Sequence, residues 1–99
     1  MAPLYTRGGI PRAFNGSAGT AAYSEYLIPG GVANGILIEN TGANLLLCAF
    51  NPEMIAAGES WSIAPGASTG LLPLEVGKLS VKASGAATTF RALALVRRG

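Results

Sequence analysis

The sequence predicts an all-β protein, an antiparallel β-sandwich of jelly-roll type or a small barrel, with an extended N-terminal arm. Three observations carry that prediction. From Ala22 onward, short runs rich in Ile, Leu, Val, Phe, Tyr and Thr recur at intervals of roughly 8–14 residues. Turn formers separate them, as at Pro29-Gly30-Gly31, Gly42, Pro65-Gly66 and Gly85. No window shows an apolar stripe at the 3.6-residue period of an amphipathic helix.

Residues 1–21, MAPLYTRGGIPRAFNGSAGTA, have neither strand nor helix periodicity and are rich in Gly and Pro. Disordered tails are normally poor in aromatic and aliphatic residues, whereas this one carries Leu4, Tyr5, Ile10 and Phe14. It reads as an arm that orders on a neighbouring surface, set before a β-sandwich domain spanning 22–99. YSEYLI (23–28) is the first strand of that domain. NGILIEN (34–40) places Ile36 and Ile38 on one face and Leu37 and Glu39 on the other. With Gly42 in a short connection, 36–40 and 44–50 read as an antiparallel hairpin.

The strand 44–50 is apolar on both faces, Leu45, Leu47 and Ala49 against Leu46, Cys48 and Phe50. NPEMIAAGE is a loop with room for one helical turn. SWSIA (60–64) alternates, which directs Trp61 and Ile63 inward. LLPLEV (71–76) contains Pro73, so it is an edge strand or an extended connection. KLSVKA (78–83) turns Leu79, Val81 and Ala83 inward. TTFRALALV (88–96) puts Phe90, Ala92, Ala94 and Val96 on one face and Arg91, Leu93, Leu95 and Arg97 on the other.

A two-layer sandwich has one dry interior, so each sheet should show water a polar outer face. Leu93 and Leu95 instead give the last strand an outer face with an apolar middle and charged ends. Charged residues make up only 12% of the chain and apolar residues 49%, a balance that exposes more oil-like surface than a small monomer tolerates. That balance fits an oligomer or assembly subunit, the preferred reading, with Leu93 and Leu95 as the expected subunit contact; the alternatives are an ordinary β domain rich in Ala and Gly, or a strip covered by the N-terminal arm of the same chain. Tyr5, Arg7, Ile10, Arg12 and Phe14 are the expected partner-binding anchors of the arm, because aromatic and Arg side chains dominate interface energetics.

The composition also excludes chemistry. There is no His and no Asp, which removes Ser-His-Asp and Cys-His nucleophile activation and His-based zinc sites. The single cysteine, Cys48, lies in an apolar run with no basic neighbour to lower its pKa and reads as core. The five Glu fall in separate segments, and no Gly-rich loop opens a helix after a strand. No cofactor and no metal are expected. The net charge of +2, without a basic run, argues against nucleic acid. No stretch approaches the ~18 apolar residues of a membrane helix, and no secretory leader is evident, so the expectation is a soluble protein made in the cytoplasm.

Three pieces of the chain, ILIENTGANLLLCAFNPE, AAGESWSIAPGA and LPLEVGKLSVKASGAATTFRALAL, resemble small β-sandwich virion proteins of tailed bacteriophages over about residues 34–96. The resemblance implies a non-enzymatic capsid decoration (cement) protein, made in the host cytoplasm and located in the virion. Such proteins sit as trimers and clamp adjacent major capsid subunits, often through an N-terminal arm. Segment 1–21 matches that role in type, although none of its residues is matched by the resemblance. A tail, neck or head-fibre component is the alternative within the virion. Outside it, the alternative is a ligand- or receptor-binding β-sandwich module, which would display an exposed aromatic such as Trp61 or Tyr23.

Overall fold

The computed structural model describes residues 10–96; Tyr5 and Arg7 of the expected arm, like Arg97, lie outside them. Among the described residues, seven strands and one short helix follow in order: β1 (Ile10–Ala18), β2 (Ser24–Leu27), β3 (Ala33–Asn40), β4 (Leu45–Ala49), α1 (Pro52–Ala56), β5 (Trp61–Ile63), β6 (Lys78–Ser84) and β7 (Thr88–Val96). They form two antiparallel sheets, ordered β1-β7-β3 and β2-β6-β4-β5. The expected all-β sandwich is the fold.

The alternating pattern of β7 explains its place at the centre of the first sheet. Phe90, Ala92, Ala94 and Val96 are buried between the sheets, while Thr89, Arg91 and Leu93 face out. Across the interior, Ile36 and Ile38 of β3 meet a layer that includes Leu46 and Cys48 of β4 and Leu79, Val81 and Ala83 of β6. Burying each such side chain contributes roughly 1–3 kcal/mol before entropy is counted. Phe90 anchors the layer, with the rings of Phe14 and Tyr26 edge-on at centroid distances of 6.2 and 5.0 Å.

Segment 71–76 is the extended edge connection that Pro73 demanded. It runs along the free side of β3 through the bridges Ala33–Val76 and Ile36–Leu72, with Glu39–Ser68 beyond them. Leu72 N–H donates to Ile36 O at 2.7 Å and Ile36 N–H to Leu72 O at 3.0 Å. That edge is thereby closed to outsiders.

Two expectations fail here. The sequence predicts an arm outside the sandwich over residues 1–21, yet its part within the described residues, Ile10–Ala18, is a nine-residue strand paired in unbroken register with β7, from Ile10–Val96 to Ala18–Thr88. Pro11 and Gly16 hide this strand from propensity, and both suit their positions. Pro11 sits on a sheet edge, where a missing N–H breaks no ladder. At Gly16 a Cβ would lie 2.5 Å from the Tyr26 ring, so only glycine admits that ring beneath β1.

The second failure is the hairpin. β3 pairs with β7 and β4 with β6 and β5, so the chain crosses from one sheet to the other between Asn40 and Leu45. A short Gly-containing connection fits a hairpin or a corner equally well locally. The side chain of Asn40 decides for the corner. It is fully buried, its Nδ2 donates to Asn44 O and Ile63 O, and its Oδ1 accepts from Gly42 N–H and Thr88 Oγ1.

Candidate interaction surface

The outer face of the first sheet is where the sequence-predicted subunit contact lies. Antiparallel register aligns its outward side chains in rows: Pro11–Leu95–Gly35, Ala13–Leu93–Leu37 and Asn15–Arg91–Glu39. Ser17 and Thr89 make a fourth row, which Thr41 extends through a 2.9 Å hydroxyl contact to Thr89. Two rows are apolar and two are polar. Leu93 is 38% exposed and Leu71, which arrives from the edge segment, is 53% exposed. Both exceed what a buried strand face would leave to water. Gly35 is buried because Leu71 and Leu95 close over it, at 3.4 and 3.7 Å from where its Cβ would stand.

The polar half is held by its own contacts. Arg91 Nε donates to Glu39 Oε1 at 2.7 Å, an exposed ion pair that contributes little to stability. Beside it, an open cleft of about 460 Å³ is lined by Asn15, Ser17, Tyr26, Thr89, Phe90 and Arg91.

Among the expected arm anchors, Ile10, Arg12 and Phe14 belong to β1. By alternation they point to the inner side of the sheet, opposite to Leu93 and Leu95. Phe14 packs on Phe90, and the Arg12 guanidinium reaches Gly30 at the sandwich flank. The structure therefore does not gather the two predicted sets on one face. What β1 adds beside Leu93 and Leu95 is Pro11 and Ala13, which sequence reasoning missed along with Leu37 and Leu71. The alternation of 34–40 already turned Leu37 outward. Only the pairing of β3 with β7 brings it beside Leu93.

Trp61 corrects another expectation. The alternation of 60–64 directs it inward with Ile63, and Ile63 is buried, but Trp61 is 52% exposed. β5 is a three-residue edge strand, so its first residue has a strand neighbour, Cys48, on one side only. The strand 44–50 resolves more simply. Leu46 and Cys48 face the core, while Leu45 and Leu47 are half-buried on the outer side, where Leu47 is flanked by Ser62 and Lys82.

Chemistry is sparse in the interior. Burial pushes the Cys48 thiol up to about 12, which keeps it protonated. Among the described residues, no three His, Cys, Asp or Glu side chains gather as a metal site. No helix of the described residues is long and apolar enough to cross a membrane.

No protein-family model matches the chain, and no curated protein matches it. Solved structures do. A helix-turn-helix family transcriptional regulator from Vibrio cholerae superposes with a TM-score of 0.59 at 11% identity, over 99% of this chain and 49% of the regulator. The chain thus spans about half of that protein. The cupin domain of an XRE family transcriptional regulator from Enterobacter cloacae gives 0.59 at 15% identity, over 89% and 83% of the two chains. RmlC from Streptococcus suis, solved with dTDP-D-xylose, gives 0.54 at 8% identity, over 96% and 48%. At such identities the likeness is one of fold alone: a cupin-like sandwich or small barrel.

Proposed function

We propose that this chain is a non-enzymatic structural protein of a virion, a capsid decoration protein that self-associates and binds neighbouring major capsid subunits. The observation that carries the reading is the apolar half of the outer sheet face, with Leu37, Leu71, Leu93 and Leu95 beside Pro11 and Ala13. A sheet whose outer face is half apolar gains by being covered, at about 25 cal/mol per Å² of apolar area before association costs. A filled apolar interior and a sequence without His or Asp agree with a role of shape and area rather than catalysis. The sequence resemblance supplies the virion, the major capsid protein as partner, and the trimer.

The test is co-sedimentation with capsid shells built from the major capsid protein of the same genome. The expected result is that the whole chain pellets with the shells and Leu93→Glu stays in the supernatant while still folded. If the variant pellets as well as the parent does, the sheet face has no part in binding. The deletion that tests the arm stops at residue 9, since removing 1–21 would take away β1 as well.

A second reading is favoured by Trp61. A half-exposed tryptophan is the feature expected of a ligand- or receptor-binding module. A parent that does not pellet with capsid shells but binds a glycan or cell surface, with that binding lost in Trp61→Ala, would decide for that reading.

A further inference from the structure

We infer that the free edge of β1 is a self-complementary contact, which joins two copies of this chain as antiparallel neighbours across a two-fold axis at Phe14. The inference deepens the self-association proposed above and rests on it, adding a second contact at right angles to the Leu93 face.

Backbone polarity comes first. In an antiparallel pair each residue turns both its N–H and its C=O toward the partner strand, or both away. Ser17 N accepts no place in the ladder to β7: it donates to Tyr26 Oη at 3.0 Å, and Tyr26 Oη donates to Ser17 O at 2.8 Å. Ser17 therefore faces away from β7. Its register partner Thr89 agrees, since Thr89 O accepts from Thr41 N–H on the far side of β7. The register of β1 is unbroken, so Pro11, Ala13 and Asn15 share the parity of Ser17 and turn their backbone outward too.

This edge is unlike the others. The free side of β3 is covered by segment 67–76, and the remaining edge strands β2 and β5 have four and three residues. β1 has nine, with no bulge and no Lys. Proteins normally blunt such an edge. Among the described residues both ends are blunted, by Pro11 at one and by the Tyr26 hydroxyl on Ser17 at the other, which leaves Ala13 and Asn15 open between them.

The two positions that cannot pair identify the occupant. Pro11 has no N–H to give, and the N–H and C=O of Ser17 are already engaged. In an antiparallel pairing centred on Phe14, Pro11 of one copy falls opposite Ser17 of the other. Ala13 falls opposite Asn15 and Asn15 opposite Ala13, and these exchange four N–H···O bonds. Each position without a donor thus meets a position that needs none. Centring on Ala13 instead would leave Asn15 O facing the proline nitrogen, and centring on Asn15 would drive Ala13 against the blocked Ser17. The Phe14 register also sets the two half-buried Phe14 rings side by side as a cross-strand aromatic pair. The product is a six-stranded sheet, β3-β7-β1-β1-β7-β3. A two-fold contact yields a dimer, or a hexamer where it joins two trimers.

The test uses the full chain in two arms. Phe14→Cys places two thiols across the axis as a non-hydrogen-bonded pair, where Cα atoms stand about 4.5 Å apart, within disulfide reach. Mild oxidation should cross-link it into covalent dimers, whereas Arg12→Cys, which lies opposite Gly16, should stay uncrosslinked. The buried, protonated Cys48 does not compete. In the second arm, Asn15→Pro removes an outward N–H that the monomer does not use. Light scattering should show the parent as a dimer or hexamer and this variant at half that mass, with the circular dichroism of a folded sheet. Cross-linking at residue 12 but not 14, or an Asn15→Pro variant that keeps the parent mass, overturns the inference. A parent that is a lone trimer also overturns it and leaves the wider self-association reading standing. A parent monomer at all concentrations overturns both.

Discussion

The Oδ1 of Asn40, at the end of β3, lies 3.0 Å from the Oγ1 of Thr88, at the start of β7, and both residues are buried. The two are 48 positions apart in the chain. They close a corner in which every hydrogen-bonding group of the Asn40 amide is used: two donors to Asn44 O and Ile63 O, two acceptances from Gly42 N–H and Thr88. Replacing Asn40 by Ala strands those partners in the interior. The expected loss is on the order of 3 kcal/mol, read as a lower urea midpoint with unchanged slope. Thr88→Val removes one of the two donors to Asn40 Oδ1 and leaves Gly42 N–H in place, so it should cost less than half as much.

Gly42 lies against the same corner. A Cβ there would stand 2.0 Å from Thr88 Oγ1 and 2.6 Å from Thr89 N, and the second of these is backbone and cannot rotate away. Gly42→Ala should therefore destabilise by about 1–3 kcal/mol through overpacking. Gly19→Ala, with nothing within 4 Å of the new methyl, is the matched control and should stay within about 0.5 kcal/mol of the parent. Equal melting temperatures for the two variants would contradict the corner geometry.

On the outer face, Leu93 and Leu95 separate association from folding to different degrees. Leu93 is 38% exposed, so Leu93→Glu should remove association through this face, leaving by light scattering no species larger than the two-copy contact of β1, and shift the melting temperature by only a few degrees. Leu95 is half-buried over Gly35, so Leu95→Glu should lose the same face contact and also about 1–2 kcal/mol of stability.

Cys48 gives a pH prediction with a definite sign. Its thiol is held protonated in the fold, with its pKa raised by burial from 9.0 to about 12. The folded state then binds a proton that the unfolded chain releases. The stabilisation is complete below pH 9.0 and is lost as pH rises from there toward 12, by about 1 kcal/mol per pH unit. Cys48→Ala should flatten that alkaline slope, and a thiol reagent at pH 8 should label Cys48 only on unfolding.

Trp61 is the chain's one tryptophan, so fluorescence reports it alone. Half-exposed on a three-residue edge strand, it should emit at long wavelength and be quenched by iodide in the native state. A blue-shifted, quencher-insensitive emission would mean that something covers it, and dilution would then show whether that cover is another copy.

The sequence by itself determined the class of fold, the alternation of β6 and β7, the edge nature of 71–76, and the outward turn of Leu93 and Leu95. Each of these depends on neighbours two or fewer residues away, where side-chain direction follows from the pleat. Only the tertiary structure decided which strands pair. Asn40 to Asn44 could have closed a hairpin, and contacts to Ile63 and Thr88, far along the chain, made it a corner. Likewise β1 was illegible, because Pro11 and Gly16 argue against a strand until β7 lies on one side and the Tyr26 ring beneath. Pairing partners are fixed by hydrogen bonds and packing between distant segments, and local propensity carries no record of them.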